Sequence, residues 1–186
     1  MLAGALRSGV WEVKYKSLLG QDVTIDANVA IDLWELECLE LLGAVFRTIY
    51  IPRLVLDTEI PHLASNLILL NPVQAEISSR RGWEFFRLLK CEFPALSEQD
   101  RLVMTTCYEI KTVCVSNDSG VRKACKSHRI QVTGLLGVLG CARIHSIISQ
   151  DKLRTLIHKL THTSCYISPN LIREFEDHFG LEESAG

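Results

Sequence analysis

Apolar residues follow two different spacings along this chain, and the change between them predicts strands that are each followed by a helix. Residues 23–25 form a short apolar run that predicts a first strand. After Asp26, apolar residues at helical spacing predict one helix that ends near Gly43. Residues 46–51 predict a second strand, and Pro52 is expected to open a helix that ends before Pro61.

The rest of the chain continues this pattern. Residues 66–70 predict another short strand, and residues 74–93 are assigned to a helix, although part of this segment also fits the alternation of a strand. Ser97 followed at the third position by Asp100 is typical of a helix start. Strands are predicted at 112–115 and 129–132, and helices at 98–110, 119–125, 134–145, 151–162 and 169–179.

Strands that alternate with helices indicate βαβ units and a parallel sheet covered on both faces. We therefore predict a three-layer α/β/α sandwich with a central, mainly parallel sheet. Residues 1–20 carry mixed signals and are assigned to an N-terminal extension, whereas residues 21–186 form the domain.

Composition and net charge limit the size of the core, the kinds of partner and the cellular compartment. A chain of 186 residues with 47% hydrophobic content can bury one core. A net charge of −2 gives no general attraction to polyanions, so a nucleic acid would need a local basic patch or metal ions. Seven dispersed cysteines indicate free thiols in a reducing compartment, and no apolar run approaches the ~18 residues of a membrane span. We expect a soluble, cytoplasmic protein.

Four acids are predicted to meet at one edge of the sheet. Asp26 and Asp118 follow strands, and Glu59 and Asp100 lie on helices expected over the same edge. Carboxylates gathered in this way repel one another, and Mg²⁺, which prefers oxygen ligands, would relieve the repulsion. Taken singly, each acid has a structural alternative as a helix cap, a turn residue or a solvated side chain.

Two further sets of acids bear on this site. Glu98 competes with Asp100 for the third position, and about 200° of helix separates the two side chains, so only one can face the cleft. Asp100 is preferred. Asp22 and Asp32 are predicted to face solvent.

The segments that carry these acids resemble the PIN domain, a metal-dependent ribonuclease fold found in many bacterial and archaeal toxins. The matching segments are IDANVAIDL with Asp26, IPRLVLDTEI with Glu59, LSEQDRLVMTTCYE with Asp100 and VCVSND with Asp118. They occur in the order of the family. The tail, from GLLGVLGCARIHSII to CYISPNLIREF, resembles the C-terminal part of an uncharacterised prokaryotic PIN-like subfamily.

This resemblance implies an endoribonuclease that uses one or two Mg²⁺ or Mn²⁺ ions. Asp26, Asp100 and Asp118 would be metal ligands, and Glu59 would bind metal or position the attacking water.

The resemblance also implies supporting residues and partners. Asn28 and Ser116 would orient the carboxylates through hydrogen bonds. An antitoxin partner and a homodimer are implied as well, with the apolar residues 33–42 as the candidate dimer surface.

One departure from the family pattern supports a different function. Ser119 and Gly120 stand where many PIN domains carry a further acid, so a degenerate module that binds RNA or protein without cutting is the alternative. A phosphotransferase with Asp26 as nucleophile is less favoured, because Asn28 stands where a haloacid-dehalogenase-type phosphatase carries a second acid.

Two more groups of residues are candidates for binding. Arg122, Lys123 and Lys126, together with Arg129, follow Asp118 and are predicted to hold an RNA backbone, with a merely solvated helix face as the alternative. The spacing of His158, His162 and Cys165 suits zinc, but a fourth ligand is not evident.

Overall fold

A five-stranded parallel sheet lies at the centre of the molecule. The computed structural model describes residues 15–163, 165 and 167–181. The sheet order is β3-β2-β1-β4-β5, and every neighbouring pair is parallel. The strands are β1 (Asp22–Ile25), β2 (Thr48–Pro52), β3 (Val73–Ala75), β4 (Val113–Val115) and β5 (Val132–Thr133).

Helices connect the strands and cover the sheet, which confirms the predicted α/β/α architecture. They are α1 (Ala27–Glu35), α2 (Leu41–Val45), α3 (Arg53–Thr58), α4 (Ala64–Ile68), α5 (Arg80–Glu92), α6 (Glu98–Ile110), α7 (Ser119–Ser127), α8 (Leu135–Ile144), α9 (Gln150–Leu160) and α10 (Pro169–Phe179), with a 3₁₀ turn at Pro61–Leu63. Within the described ranges, no helix has the length and apolar character needed to cross a membrane.

The central strand β1 shows why the sheet is parallel and buried. Val23 and Ile25 are fully buried, and the polar residue between them, Thr24, is buried as well. Its hydroxyl is satisfied by the Thr112 hydroxyl at 2.6 Å. A strand that is buried on both faces needs helices above and below it, and the βαβ crossovers supply them.

Four of the predicted elements were wrong in position or type. The helix predicted at 74–93 begins only at Arg80, because the chain first forms the strand β3 at Val73–Ala75. The helix predicted from Asp26 to Gly43 is two helices, α1 and α2, because the chain turns between them and Glu37 takes a left-handed conformation with φ of 55°. The strand predicted at 66–70 is instead helical at Ala64–Ile68 and is followed by β3. The last strand, β5, begins three residues later than predicted, since Arg129 also turns the chain with φ of 56°.

The candidate dimer surface at residues 33–42 is wrong. Apart from the exposed Trp34, its apolar side chains face the interior, and the buried ones are Leu33, Leu36, Cys38, Leu39, Leu41 and Leu42. These residues carry the core contacts of α1 and α2, so they are unavailable to a partner.

The N-terminal segment is only partly described. Residues 1–14 of the predicted extension lie outside the described residues. Tyr15 and Leu18 are buried in the core, and the Tyr15 ring stacks on Phe179 of α10 at 6.0 Å between centroids. The last part of the predicted extension therefore packs against the domain, and the boundary at residue 20 stays a prediction.

The strand order creates a switch point between β1 and β4. The chain leaves β1 toward β2 and β3 on one side, while β4 and β5 lie on the other. Open parallel sheets bind their ligands in the crevice beyond the carboxyl ends of the strands at such a point. Asp26 directly follows β1 and residues 116–118 directly follow β4, so the predicted acids begin here.

Candidate functional site

Asp26 lies at the centre of the candidate site. It follows β1 at the N-cap position of α1, and its side chain makes no capping hydrogen bond. Its Oδ2 instead accepts hydrogen bonds from Asn28 Nδ2 and Ser116 Oγ, both at 2.6 Å. The Asp26 amide donates to the Val115 carbonyl at 3.0 Å, which holds the carboxylate beside the end of β4. Asp26 is therefore positioned by the two central strands.

Burial and nearby acids raise the pKa of Asp26 from 3.8 to about 6. Desolvation is the largest cause, because Asp26 is only 4% exposed, and the negative charges of Asp100 and Glu59 raise the pKa further. The Ser116 hydrogen bond opposes this shift. The pKa of Glu59 is raised by its own burial and by Asp100. Three of the four predicted acids thus interact electrostatically.

Glu59 and Asp100 reach this region from the ends of two helices. Glu59 directly follows α3 and is half-buried, while Asp100 lies in the first turn of α6. The two helix ends meet where Gln99 Nε2 donates to Thr58 Oγ1 at 3.3 Å. It is Asp100, rather than the exposed Glu98, whose charge raises the pKa values of Asp26 and Glu59.

Asp100 also caps α6, which is the structural role that the sequence offered as an alternative to metal binding. The Ser97 amide donates to Asp100 Oδ2 at 2.8 Å, and the Asp100 amide donates to Ser97 Oγ at 3.0 Å. This reciprocal capping box satisfies two helix-end donors. It fixes the Asp100 carboxylate and engages one of its oxygens, so the residue that caps the helix is also the one whose charge acts on Asp26 and Glu59.

Asp118 is the most exposed of the four acids. It is the N-cap of α7, and its Oδ1 accepts from the Val121 amide at 2.8 Å. The Asp118 amide donates to Ser116 Oγ at 3.1 Å, and Ser116 Oγ in turn donates to Asp26. One serine hydroxyl therefore links the backbone of Asp118 to the carboxylate of Asp26.

The described residues contain no group of three or more histidine, cysteine, aspartate or glutamate side chains close enough to hold one metal ion. The donor chemistry nevertheless suits a hard divalent cation. Carboxylates that raise one another's pKa are stabilised by a nearby cation, and Mg²⁺ uses only one or two protein carboxylates. Asp26, Glu59 and Asp100, together with Asp118 beside Ser116, supply oxygen atoms of the kind that such an ion prefers.

A cavity of about 970 Å³ opens beside these acids. Asn28, which donates to Asp26, and Asp118 line it together with residues of α1, α7, α8 and the segment before α10. Its polar and charged lining residues include Asn28, Asp32, Asn117, Asp118, Arg122, Lys123, Lys126, Thr133 and Cys165, and its apolar ones include Ile31, Leu136, Ile167 and Leu171.

The prediction that Asp32 faces solvent was wrong, because Asp32 is buried at 6% exposure in the wall of this cavity. Its Oδ2 accepts hydrogen bonds from Asn117 Nδ2 at 2.8 Å and from Cys165 Sγ at 3.0 Å. The sequence held a signal for this position: Asp32 stands three residues after Val29 and four before Leu36, on the apolar face of its helix.

The zinc site considered from spacing is not formed among the described residues. Cys165 donates to Asp32 instead of facing the two histidines. His162 Nδ1 contacts the His158 carbonyl at 3.0 Å, and the two rings lie tilted against each other at 5.0 Å between centroids. The spacing is that of successive turns near the end of α9 and not that of a ligand set.

The basic residues of α7 divide into two groups. The half-buried Arg122 donates from Nη1 to the Ser116 carbonyl at 3.0 Å and so supports the end of β4. Lys123 and Lys126 are exposed where they line the cavity. Arg129 is exposed in the turn after α7 and is not among the lining residues. Positive charge therefore lies beside the acidic cluster on the side of the cavity.

Comparison with known proteins places this architecture in a family. The family model DUF3368, described as a PIN domain, matches residues 22–180. No curated protein and no solved structure matches the chain. The family match spans every strand and the four acids, and the parallel sheet with its switch-point aspartate agrees with it. The chain belongs to the PIN domain family.

Proposed function

We propose that this protein is a Mg²⁺- or Mn²⁺-dependent endoribonuclease that hydrolyses RNA phosphodiester bonds. The observation that carries the proposal is the buried Asp26, whose pKa is raised to about 6 beside Glu59 and Asp100 at the switch point of the sheet. Membership of a family whose members are generally nucleases supports it. Perturbed pKa values in a cleft are typical of functional sites.

Each acid has a distinct part in this proposal. Asp26, Asp100 and Asp118 hold the ion, which when bound lowers the pKa of water and neutralises charge on the phosphate. Glu59 positions the attacking water and accepts its proton, a role for which its raised pKa is suited. Asn28 and Ser116 hold Asp26 in one orientation through their 2.6 Å hydrogen bonds.

The cavity provides the binding surface for the substrate. Lys123 and Lys126 are exposed cationic side chains beside the acids, and Arg122 shares the same wall. Phosphate oxygens are the groups that lysine and arginine contact most in nucleic-acid complexes. We infer that these residues hold the RNA backbone and bring the scissile phosphate to Asp118 and Asn28, where the cavity meets the acidic cluster.

The test is cleavage of end-labelled single-stranded RNA during Mg²⁺ and Mn²⁺ titrations. We expect cleavage to require the metal. Asp26→Asn or Asp118→Asn should reduce the cleavage rate by more than about 100-fold, which is a larger loss than is usual for a residue that only orients a metal ligand. Asp22→Asn is the matched control, because Asp22 begins β1 and pairs with Arg47 away from the site. Full activity in Asp26→Asn would place the chemistry elsewhere.

A degenerate PIN module that binds RNA or protein without cutting is the second candidate. Two observations favour it: Ser119 and Gly120 supply no further acid, and no three-residue metal group is found among the described residues. Metal-independent RNA binding with no cleavage in either metal would establish this candidate in place of the nuclease.

We further propose a cytoplasmic toxin that is neutralised by an antitoxin protein. The seven cysteines are all free, which suits a reducing compartment, and the resemblance to toxin-type PIN domains supports the role. Induced expression should arrest bacterial growth, and Asp26→Asn should relieve the arrest at equal protein level. Growth that continues under the native chain would contradict the toxin role.

A further inference from the structure

Asp32 is a buried carboxylate that faces a cavity with one oxygen already engaged. Asn117 and Cys165 both donate to Oδ2, and no residue of the described chain donates to Oδ1. A carboxylate offers about four acceptor positions, two on each oxygen. The protein therefore fills the two at Oδ2 and leaves the two at Oδ1 for a ligand that brings its own donors.

The neighbouring polar groups do not offer a matching donor. The Asn117 side chain is fully engaged, because Nδ2 donates to Asp32 and Oδ1 accepts from the Leu135 amide at 3.0 Å. Gly134 leaves the space that the Asn117 side chain occupies, because a Cβ at that position would collide with Asn117 Oδ1. The Asp32 end of the cavity thus presents a fixed acceptor and selects a ligand edge that carries N–H groups.

The rest of the lining matches a nucleotide. Ile31, Leu136, Ile167 and Leu171 supply apolar surface for the faces of a flat ring, while Lys123 and Lys126 supply charge for a phosphate. A volume of about 970 Å³ lies at the upper end of the range of about 300–1,000 Å³ for ligand pockets, which leaves room for a base with its sugar and phosphate. Asn28 and Asp118 at the same wall connect it to the acidic cluster.

We propose that this cavity holds a guanine base of the RNA substrate, with Asp32 accepting from its Watson–Crick edge. Guanine presents two adjacent donors there, N1–H and the N2 amine, and Oδ1 of Asp32 can accept from both at once. Adenine, cytosine and uracil each set an acceptor beside their donor, and that acceptor would face the carboxylate. Unpaired bases of RNA are commonly read on this edge.

This proposal rests on the proposed ribonuclease function, but base binding can be measured without cleavage. The direct test is calorimetric titration of the full chain with GMP, IMP and AMP in buffer with EDTA. We expect GMP to bind at least about 10-fold more tightly than AMP. IMP lacks the N2 amine and should lose about 10-fold relative to GMP, the usual effect of one hydrogen bond to a charged group.

Variants separate base recognition from phosphate contacts. Asp32→Asn should remove the preference for GMP, whereas Glu35→Gln, which removes an exposed charge from the same helix, should keep it. Lys126→Gln should weaken GMP and AMP by the same factor, because it contacts no base. The IMP comparison on the native chain needs no variant, so a folding defect in Asp32→Asn leaves the test intact. Equal affinity for GMP and AMP, or no binding of either, would overturn the proposal.

A second experiment, with RNA, tests whether the pocket binds a guanosine within an RNA chain or a free nucleotide. Oligonucleotides of adenosine with and without one guanosine are bound in EDTA and then cleaved with Mn²⁺. We expect the single guanosine to increase affinity and to fix the position of cleavage. GMP preference without an effect of guanosine in RNA would assign the pocket to a free nucleotide and overturn the proposal. Cleavage without base preference refutes the pocket alone, and base preference without cleavage refutes the ribonuclease alone.

Discussion

At the scale of single residues, Asp26 is held in a state that costs stability when it ionises. Burial raises its pKa to about 6, and the charges of Asp100 and Glu59 add to the shift. Ser116 and Asn28 donate to one of its oxygens and offset only part of the cost. A bound cation would stabilise the ionised form that the fold alone disfavours.

The first prediction is the pH dependence of stability without metal. The folded pKa of Asp26, about 6, lies above the value of about 3.9 in an unfolded chain. Its contribution is therefore fully present below about pH 4 and is lost as the pH rises through about 6, by about 3 kcal/mol at most. Asp26→Asn should be more stable than the native chain at pH 8 in EDTA, measured by urea unfolding.

Asp22 is the control for this prediction, because its pKa is shifted in the opposite direction to that of Asp26. Its pKa is lowered by hydrogen bonds and charge from Arg47, so its ionised form favours the folded chain above the unfolded pKa. Asp22→Asn should not stabilise the protein at pH 8. If both substitutions change stability in the same direction, the local environment of Asp26 is not the cause.

At the scale of elements, the caps of the helices position the acids. The capping box of α6 holds Asp100 at the point where α6 meets the end of α3. The cap of α9 is built in the same way, with Ser149 Oγ accepting from the Lys152 amide, but it carries no acid of the site. A comparison of these two helix starts therefore distinguishes the effect of losing a helix cap from the effect of moving Asp100.

The second prediction compares Ser97→Ala with Ser149→Ala. Each loses one N-cap hydrogen bond, and each should lower the free energy of unfolding by about 1 kcal/mol. Only Ser97→Ala should raise the metal concentration needed for half-maximal cleavage, because it loosens the turn that carries Asp100. An equal effect of both variants on the metal requirement would show that Asp100 has no separate role.

The elements also show which parts of the fold the sequence could predict. The box of Ser97 and Asp100 and the buried strand β4 were predicted correctly, because a local hydrogen-bond pattern and a continuous apolar run determine them. Residues 66–70 were wrongly predicted as a strand, since their apolar side chains include the exposed Ile68 and Leu69. A short run of apolar residues on the surface cannot be distinguished from a buried strand by periodicity alone.

The site was predictable in part for a similar reason. Asp26 and Asp118 follow strands, so the topology alone brings them to one edge of the sheet. The engagement of Asp32 with Asn117 and Cys165 depends on contacts across 85 and 133 positions of the chain. No local pattern specifies such contacts, although the position of Asp32 on an apolar face indicated that it was buried.

At the scale of the whole molecule, some large apolar side chains are exposed, and one of them, Trp34, lies within the segment 33–42 that was predicted as the dimer face. Leu69 and Ile68 are 84% and 71% exposed, and Trp34 is 43% exposed. We treat Trp34, Ile68 and Leu69 as one candidate surface, because the Trp34 ring contacts His62 at 5.9 Å between centroids and His62 leads directly into α4. Clustered exposed apolar side chains are typical of interaction surfaces.

The third prediction is that this side mediates a homodimer. Leu69→Glu should shift the mass measured by light scattering toward the monomer, because it places a charge in the contact. Leu88→Glu, at a 43% exposed position on α5, is the matched control and should leave the mass unchanged. A native chain that is monomeric at all concentrations would contradict the prediction.

The most direct test of the central proposal is whether Asp26, Asp100 and Asp118 form one binding site for a divalent cation. Binding of Mn²⁺ at pH 7.5 can be followed by electron paramagnetic resonance for the native chain and for Asp26→Asn, Asp100→Asn, Asp118→Asn and Asp22→Asn. We predict a bound ion that each of the first three substitutions weakens and that Asp22→Asn retains. Native affinity in Asp26→Asn, or equal loss in Asp22→Asn, would contradict the account.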